Sequence, residues 1–397
     1  MQKRKIALVE LYGHNEVLYI LYRLLKHDFE VSVLTTFEIL QDAEDYFDEK
    51  LNNWKAQPLA ESKEQFVKRQ LQFLNNQDII IFITLVSSFR FFAKITFTAK
   101  TILLIHNVNT MLLFKDKLWI NRSSLPLFSK DALRFLLDKI KRTSFHKRLL
   151  LEKMNYLSYS SYNLTYYAKS ITNHYDDKII DPLPLSFFNN YEVEKSKTII
   201  ISIPGVVLEE ARDYLMVYEV FKELHFKTEK VIQLQLLGNS NSDYGKEIVN
   251  KFQELESDNF KLISFLKPLS QKEFDHSLKK TDFMILPIRK YRQFGIIKEE
   301  YGKTNISGGL NDMIRFGIPV LLYDHYKTEK WFEPLVSTFK NRTELGVKFR
   351  DWIENSTYLK LREVATPKLM KMNEDRTRIS LINQINFFLE DGDKAKG

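Results

Sequence analysis

The sequence predicts an α/β protein made of two Rossmann-like, parallel-sheet domains that face each other across a cleft. Three observations carry this reading. Short apolar runs alternate with amphipathic helical stretches along the chain. The alternation restarts after Asp181-Pro182-Leu183-Pro184-Leu185, which has the composition of a stiff linker. Finally, 397 residues are more than one hydrophobic core usually covers. The expected division is residues 1–182, residues 183–365, and a C-terminal segment 366–397 packing back across the hinge onto the first domain.

In the first domain, Lys5 to Glu10 is a short buried strand. Leu11 to Glu16 then turns into a helix whose Val17, Leu18, Leu21, Leu24 and Leu25 recur at helical spacing, and Glu30 to Thr35 is the next strand. This is an opening βαβ unit. Gly13 is the only glycine before Gly205, so the glycine fingerprint of a dinucleotide site is absent. The turn, with Gly13 and Glu16, is expected to face an acceptor instead. His14 reads equally as a site residue or as a polar helix cap. Residues 38–76 read as amphipathic helices and a mobile connection. Asp78 to Thr84 and Thr101 to His106 are strands, and Leu157 to Ser161 and Leu164 to Ala168 read as strands closing the sheet. His106, Asn107 and Asn109 follow the carboxyl end of a strand, where open α/β sheets place their ligand crevice. An imidazole and two amides there can hydrogen-bond sugar hydroxyls or a phosphate. A packed structural histidine is the alternative for His106.

The second domain opens with Lys197 to Ile203, broken by Pro204-Gly205, followed by a helix carrying Arg212, Tyr214, Val217, Val220 and Phe221. Val231 to Leu237 ends at Gly238-Asn239, Phe260 to Phe265 is a further strand, and Ser270 with Glu273 forms a capping box. Glycine is scarce: of twelve in the chain, five (Gly295, Gly302, Gly308, Gly309 and Gly317) fall between Arg289 and Leu321. Phe283 to Pro287 reads as a buried strand, a loop rich in Lys, Arg and Tyr follows, Ser307-Gly308-Gly309 opens a helix, and Ile318 to Leu322 is another buried strand. Such a unit aims free backbone N–H groups and the positive end of a helix dipole at whatever lies above the sheet, and a phosphate is the natural occupant. The alternative is that the two glycines only allow close helix packing.

The chain has no cysteine, which excludes disulfides and thiolate chemistry and fits a reducing cytoplasm. Its net charge of +8 suits an acidic partner. Between Lys115 and Lys153, eleven Lys or Arg stand against four Asp or Glu, interleaved with Leu and Phe. That pattern fits a helix lying in an anionic membrane interface, at the inner face of the membrane, or a solvated basic face over a core helix. Nucleic acid is not expected, because no recognised binding motif accompanies the charge. No His/Asp cluster has metal-ligand spacing, and no carboxylate pair stands out as a glycosidase dyad.

The residues from 197 to 323, with VIQLQLLGN, FLKPLSQKEFDHSLKKTDFMILP and GIPVLL in this order, resemble a GT-B glycosyltransferase, most similar to the GT4 family. The likeness is weaker in YGHNE and in the HN of LIHNVN. It implies a retaining, metal-independent enzyme with no cofactor beyond its co-substrate, a nucleotide diphosphate sugar. The sugar would pass to a saccharide or lipid-linked saccharide in surface polysaccharide or glycan synthesis. By the resemblance, Asp312 takes the place of the family's second glutamate, on the ribose. The first falls on Thr304, leaving that role unfilled or taken by Glu299 or Glu300. The donor set expected is Arg212, Arg289, Tyr301, Lys303, Ser307, Gly308, Gly309, Asp312, Gly205, Gly238 and Asn239. His106 and His14 would orient the reacting sugar or acceptor, with Gly13, Glu16, Asn107 and Asn109 on the acceptor side. The rival expectations are a GT-B-like epimerase, a non-catalytic membrane or glycan-binding protein, and, third, a nucleic-acid-binding protein.

Overall fold

The computed structural model describes residues 3–113, 143–191, 197–223, 230–294 and 297–394. The basic stretch from Lys115 to Arg142 and Gly295 lie outside these. The first half forms a seven-stranded sheet of β1 (Lys5–Glu10), β2 (Glu30–Thr36), β3 (Trp54–Gln57), β4 (Ile79–Phe82), β5 (Lys100–Ile105), β6 (Tyr156–Tyr159) and β7 (Ile179–Ile180), in the order β3-β2-β1-β4-β5-β6-β7. The second half forms a six-stranded sheet of β8 (Thr198–Pro204), β9 (Val231–Asn239), β10 (Phe260–Phe265), β11 (Phe283–Leu286), β14 (Val320–Tyr323) and β15 (Val336–Phe339), in the order β10-β9-β8-β11-β14-β15. Every pairing in both sheets is parallel. Helices cover both faces, so β4 (IIIF) and β11 (FMIL) are buried throughout and read as unbroken apolar runs. The two-sheet α/β architecture is that of GT-B proteins.

In each sheet the strand order reverses beside the first strand, at β1/β4 and at β8/β11. Ligand crevices open at such switch points, beyond the carboxyl ends of the strands. They place the Glu10–Glu16 turn and the Gly205–Arg212 turn at the two crevices.

One expected strand is a helix. Residues 164–168 lie within the Tyr162–Ile171 helix, where the Ser161 hydroxyl accepts the Leu164 amide at 3.3 Å as N-cap, and Leu164, Thr165 and Ala168 make its buried stripe. The capping box at Ser270 and Glu273 forms as the sequence suggests. The loop after β11 contains an antiparallel hairpin, β12 (Tyr291–Phe294) with β13 (Ile297–Glu300).

That hairpin crosses to the first half. Thr304 O accepts the Val108 amide at 2.8 Å, Asn109 Nδ2 donates to Lys298 O at 2.8 Å, and the buried Glu299 carboxylate accepts the amides of Thr110 (2.6 Å) and Asn109 (3.3 Å). A second bridge joins Tyr46 Oη to Asp275 at 3.1 Å and the Gln271 amide to Asp42 at 3.1 Å. The last described helix, Glu374–Lys394, returns to the first half: Leu381, Ile385 and Phe388 join the core around β1 and β2, and Arg23 holds Glu374 in a bidentate pair at 2.7 and 2.5 Å. Among the described residues no helix is long and apolar enough to cross a membrane. At the described end of the basic segment, Lys147 is buried and donates to Thr110 O at 2.6 Å, so this lysine serves packing.

Candidate functional site

The Gly308–Phe316 helix starts at the carboxyl end of the second sheet. Gly309 sits where a Cβ would come within 3.0 Å of Leu286 and 3.2 Å of Pro204, so the glycine lets the helix rest directly on β11 and β8. A Cβ on Gly308 would meet nothing within 4 Å, so that position faces open space. The Gly308 and Gly309 amides have no acceptor among the described residues, as a helix start leaves its first amides, while the Leu310 amide turns back to Ser307 O at 3.0 Å. The Ser307 hydroxyl makes no cap, and its amide donates to Tyr326 Oη at 3.2 Å.

Next to this start lies the turn after β8. Gly205 has φ +96°, a left-handed value suited to glycine, and its missing side chain makes room for the Arg212 guanidinium, which would stand 2.6 Å from a Cβ. Arg212 Nε is buried without a hydrogen-bond partner among the described residues. Gly238 presses backbone to backbone on Gly205, with its hypothetical Cβ at 2.2 Å from Gly205 O, and the Val207 amide donates to Asn239 O at 3.1 Å. Pro204, Gly205, Arg212, Gly238, Asn239 and Gly309 therefore form one contiguous patch. It offers an Arg and free helix amides, the chemistry of an anion cradle.

Other expected donor residues are engaged elsewhere. Arg289 Nε donates to Glu209 O at 2.6 Å, and its Nη2 lies 3.9 Å from Asp213 Oδ1. Lys303 is 3.8 Å from Glu300 and stands 5.2 Å over the Tyr167 ring. Tyr301 is buried, its amide on Lys290 O at 3.0 Å. The Asn107 backbone bridges to Asn305 and the Asn109 Nδ2 donates to Lys298 O, so both residues serve the junction between the halves, while Asn107 Oδ1 and Asn109 Oδ1 are buried without a hydrogen-bond partner among the described residues. Of the carboxylates near Thr304, Glu299 caps the Thr110 and Asn109 amides, and Glu300 lies 3.6 Å from Lys290.

Asp312 is buried one turn into the helix, with Arg315 at 3.4 Å; Arg315 also binds Asp275. Burial pushes the Asp312 carboxyl up to about 7, Asp275 and Glu16 add to the rise, and Arg315 opposes it. The influence of Glu16 places the two halves' acidic groups within electrostatic reach. Arg315 stands at i+3 from Asp312, a pairing legible in sequence. Asp275 and Tyr46 meet it only through tertiary packing, and nothing local announces them.

The opposite wall is built on β1. Glu10, fully buried, accepts the amides of Tyr12 (2.5 Å) and Gly13 (2.9 Å), so the amides of this turn are taken internally. Gly13 has φ +112°. His14 makes no side-chain cap, which removes the capping alternative. Its ring stacks on His106 at 4.2 Å and 10°, and its Nδ1 is 3.4 Å from Glu16. Burial lowers the His14 pKa, but hydrogen bonding and charge from Glu16, with Glu10 behind, outweigh it and raise the value. His106 is different: Nε2 lies 2.9 Å from Ile83 O and Nδ1 2.7 Å from Ser160 Oγ. Burial pushes it down to about 3, so it is a neutral plate under His14 whose two nitrogens are both occupied. A cavity of about 50 Å³ opens beside the pair, lined by Thr84, Phe89 and Thr110 among others.

No protein-family model matches the chain, and no curated protein does. Solved structures do. HepE of Anabaena, in complex with UDP and glucose, has TM-score 0.61 and 12% identity, covering 96% of this chain and 99% of its own. The UDP-GlcNAc 2-epimerase of Neisseria meningitidis, bound to UDP-GlcNAc, has TM-score 0.52 and 13% identity, over 96% and 100% of the chains. The N-terminal domain of Candida albicans trehalose-6-phosphate phosphatase has TM-score 0.58 and 9% identity, over 97% of each. At these identities the likeness is one of fold.

Proposed function

We propose that the chain binds a nucleotide diphosphate sugar at the Gly308–Phe316 helix start and moves its sugar to a hydroxyl of a saccharide or lipid-linked saccharide. The observation that carries this is the patch of Arg212, the Gly205–Gly238 contact and the free amides of Gly308 and Gly309, which stands at the switch point of the second sheet. The likeness in fold to structures holding UDP-glucose or UDP-GlcNAc supports the same reading. A diphosphate leaving group gains charge as its bond to the sugar breaks, and pre-aimed N–H donors stabilise that charge without reorganising. Asp312 stands one turn into the same helix, within reach of the nucleoside. His14, kept basic by Glu16, faces the acceptor side.

An epimerase is the second reading, favoured by the facing acid–base groups His14, Glu16 and Asp312. Incubation with a panel of UDP- and GDP-sugars separates the two. Release of free nucleoside diphosphate only with an acceptor present supports transfer, whereas conversion of the sugar with no acceptor supports epimerisation. Arg212→Ala should weaken UDP binding at least tenfold in calorimetry. Unchanged affinity would remove the cradle.

A further inference from the structure

A larger cavity, about 270 Å³, lies between the halves at the hinge. It is walled by the segment after β6 (Ser160 to Asn163), the crossing segment Pro182 to Ser186, the helix residues Leu310 and Asn311, the loop from Tyr326 to Phe332, and the start of the returning helix. Arg212, Gly205, Gly238, Asp312, His14 and His106 do not line it, although it adjoins both sites, since Ser160 on its wall donates to His106 Nδ1 at 2.7 Å and Ile306 and Leu310 flank the cradle turn.

Its chemistry is specific. Trp331 remains 44% exposed and meets Tyr162 edge-on at 5.5 Å, with Phe332 beside it, which leaves an aromatic face turned to the space. Lys327, Lys371 and Arg376 line the cavity and have no carboxylate within ion-pair distance among the described residues. The sole acidic residue lining it, Glu329, is engaged by the Asn163 amide at 3.2 Å. Asn311 adds a side-chain amide; the Ser161 and Thr377 hydroxyls on the wall already bond the Leu164 amide and Met372 O and can only share their remaining lone pairs. Unpaired cations, a partly exposed indole and hydroxyl-bonding groups around this volume describe a small, polar, ring-shaped anion.

We propose that this hinge cavity binds an acidic monosaccharide, a hexose ring bearing one phosphate or carboxylate, and that its occupancy fixes the two halves in the arrangement described. The ring lies on Trp331, and Lys327, Lys371 and Arg376 hold the charge. Because the walls come from both halves and both crossing segments, the ligand contacts all of them only in one relative placement of the halves. Tyr326, on the cavity wall, also accepts the Ser307 amide, so the cavity is joined mechanically to the cradle turn.

The test is calorimetry on the full chain with glucose 6-phosphate, glucuronate, glucose and inorganic phosphate. At least one of the two acidic sugars should bind tenfold or more tighter than either glucose or phosphate. The exposed pair Lys371→Ala with Arg376→Ala should weaken it at least tenfold while the melting temperature holds, and Arg212→Ala should leave it unchanged. Glucose 6-phosphate alone or glucuronate alone as the binder identifies the anion and supports the proposal. Equal binding of free phosphate, equal binding of glucose, no binding by any probe, or an unchanged double variant overturns it. Displacement by UDP together with loss in Arg212→Ala would also overturn it, by assigning the sugar to the cradle. Since Arg212→Ala reports on the cradle alone, failure of the donor reading leaves this result legible.

Discussion

Glu299 joins the two halves, and its removal has a calculable cost. The carboxylate is fully buried and accepts the Thr110 amide at 2.6 Å and the Asn109 amide at 3.3 Å from the other half. Glu299→Ala leaves both amides without an acceptor in a dry junction. An orphaned buried donor costs about 1–3 kcal/mol. The longer of the two bonds falls at the low end, so the pair costs ~3 kcal/mol. For halves of this size that is a fall in melting temperature of roughly 6 to 12 °C. Glu299→Gln retains one acceptor but turns an NH2 toward the second amide, so it should fall between Ala and the parent protein. Scanning fluorimetry with and without UDP reads both quantities. If Glu299 instead touched the donor, the variants would keep the parent melting temperature and lose the UDP-induced shift. That pattern would refute the strut.

Further outcomes follow from the site. The Asp312 carboxyl is raised to about 7, so the stability it contributes is fully present below its unfolded pKa, near 4, and is lost as pH rises through about 7. Urea midpoints should therefore decline over that window, and Asp312→Asn should flatten the decline; an unaltered slope would place the titration elsewhere. Gly309→Ala should cost about 1 kcal/mol, because its Cβ pushes into Leu286 and Pro204, while Gly308→Ala, opening to free space, should cost near nothing by the same denaturation assay. Glu16→Gln should lower the His14 pKa in an NMR titration, since Glu16 is what raises it; an unmoved resonance would break the pairing.

Much of the fold is legible in sequence because fully buried parallel strands are short apolar runs, as in KIALVE, DIIIFIT and FMILP. The elements that escape are those whose burial is partial. In β3, WKAQ buries only Trp54, and in β15, VSTF buries only Phe339, so neither stands out from loop. The β12–β13 hairpin reads as a basic loop because its side chains are mostly polar and its stabilisation comes from the other half. At the site, glycine scarcity pointed to the stretch that holds Gly308 and Gly309, and the structure rests Gly309 on the Leu286 and Pro204 side chains; Gly205 and Gly238, expected from the resemblance, meet backbone to backbone. Charge alone pointed to Arg289 and Lys303; Glu300, the carboxylate near Lys303, stands three residues before it, whereas Asp213 and Glu209 meet Arg289 only through tertiary packing. The hinge cavity gathers Tyr162, Trp331 and Arg376 from segments far apart in sequence, and no local pattern links them.

The returning helix has a consequence for how the protein is made. Leu381, Ile385 and Phe388 fill the same core as Ile6, Leu8 and Val33. On a ribosome, the first-synthesised half must wait with an open apolar flank while the second half emerges and folds, since residues near 385 are needed to close it. Domains ordinarily fold in the order in which they are translated. Here the earliest strands become secure only once residues near 385 have emerged.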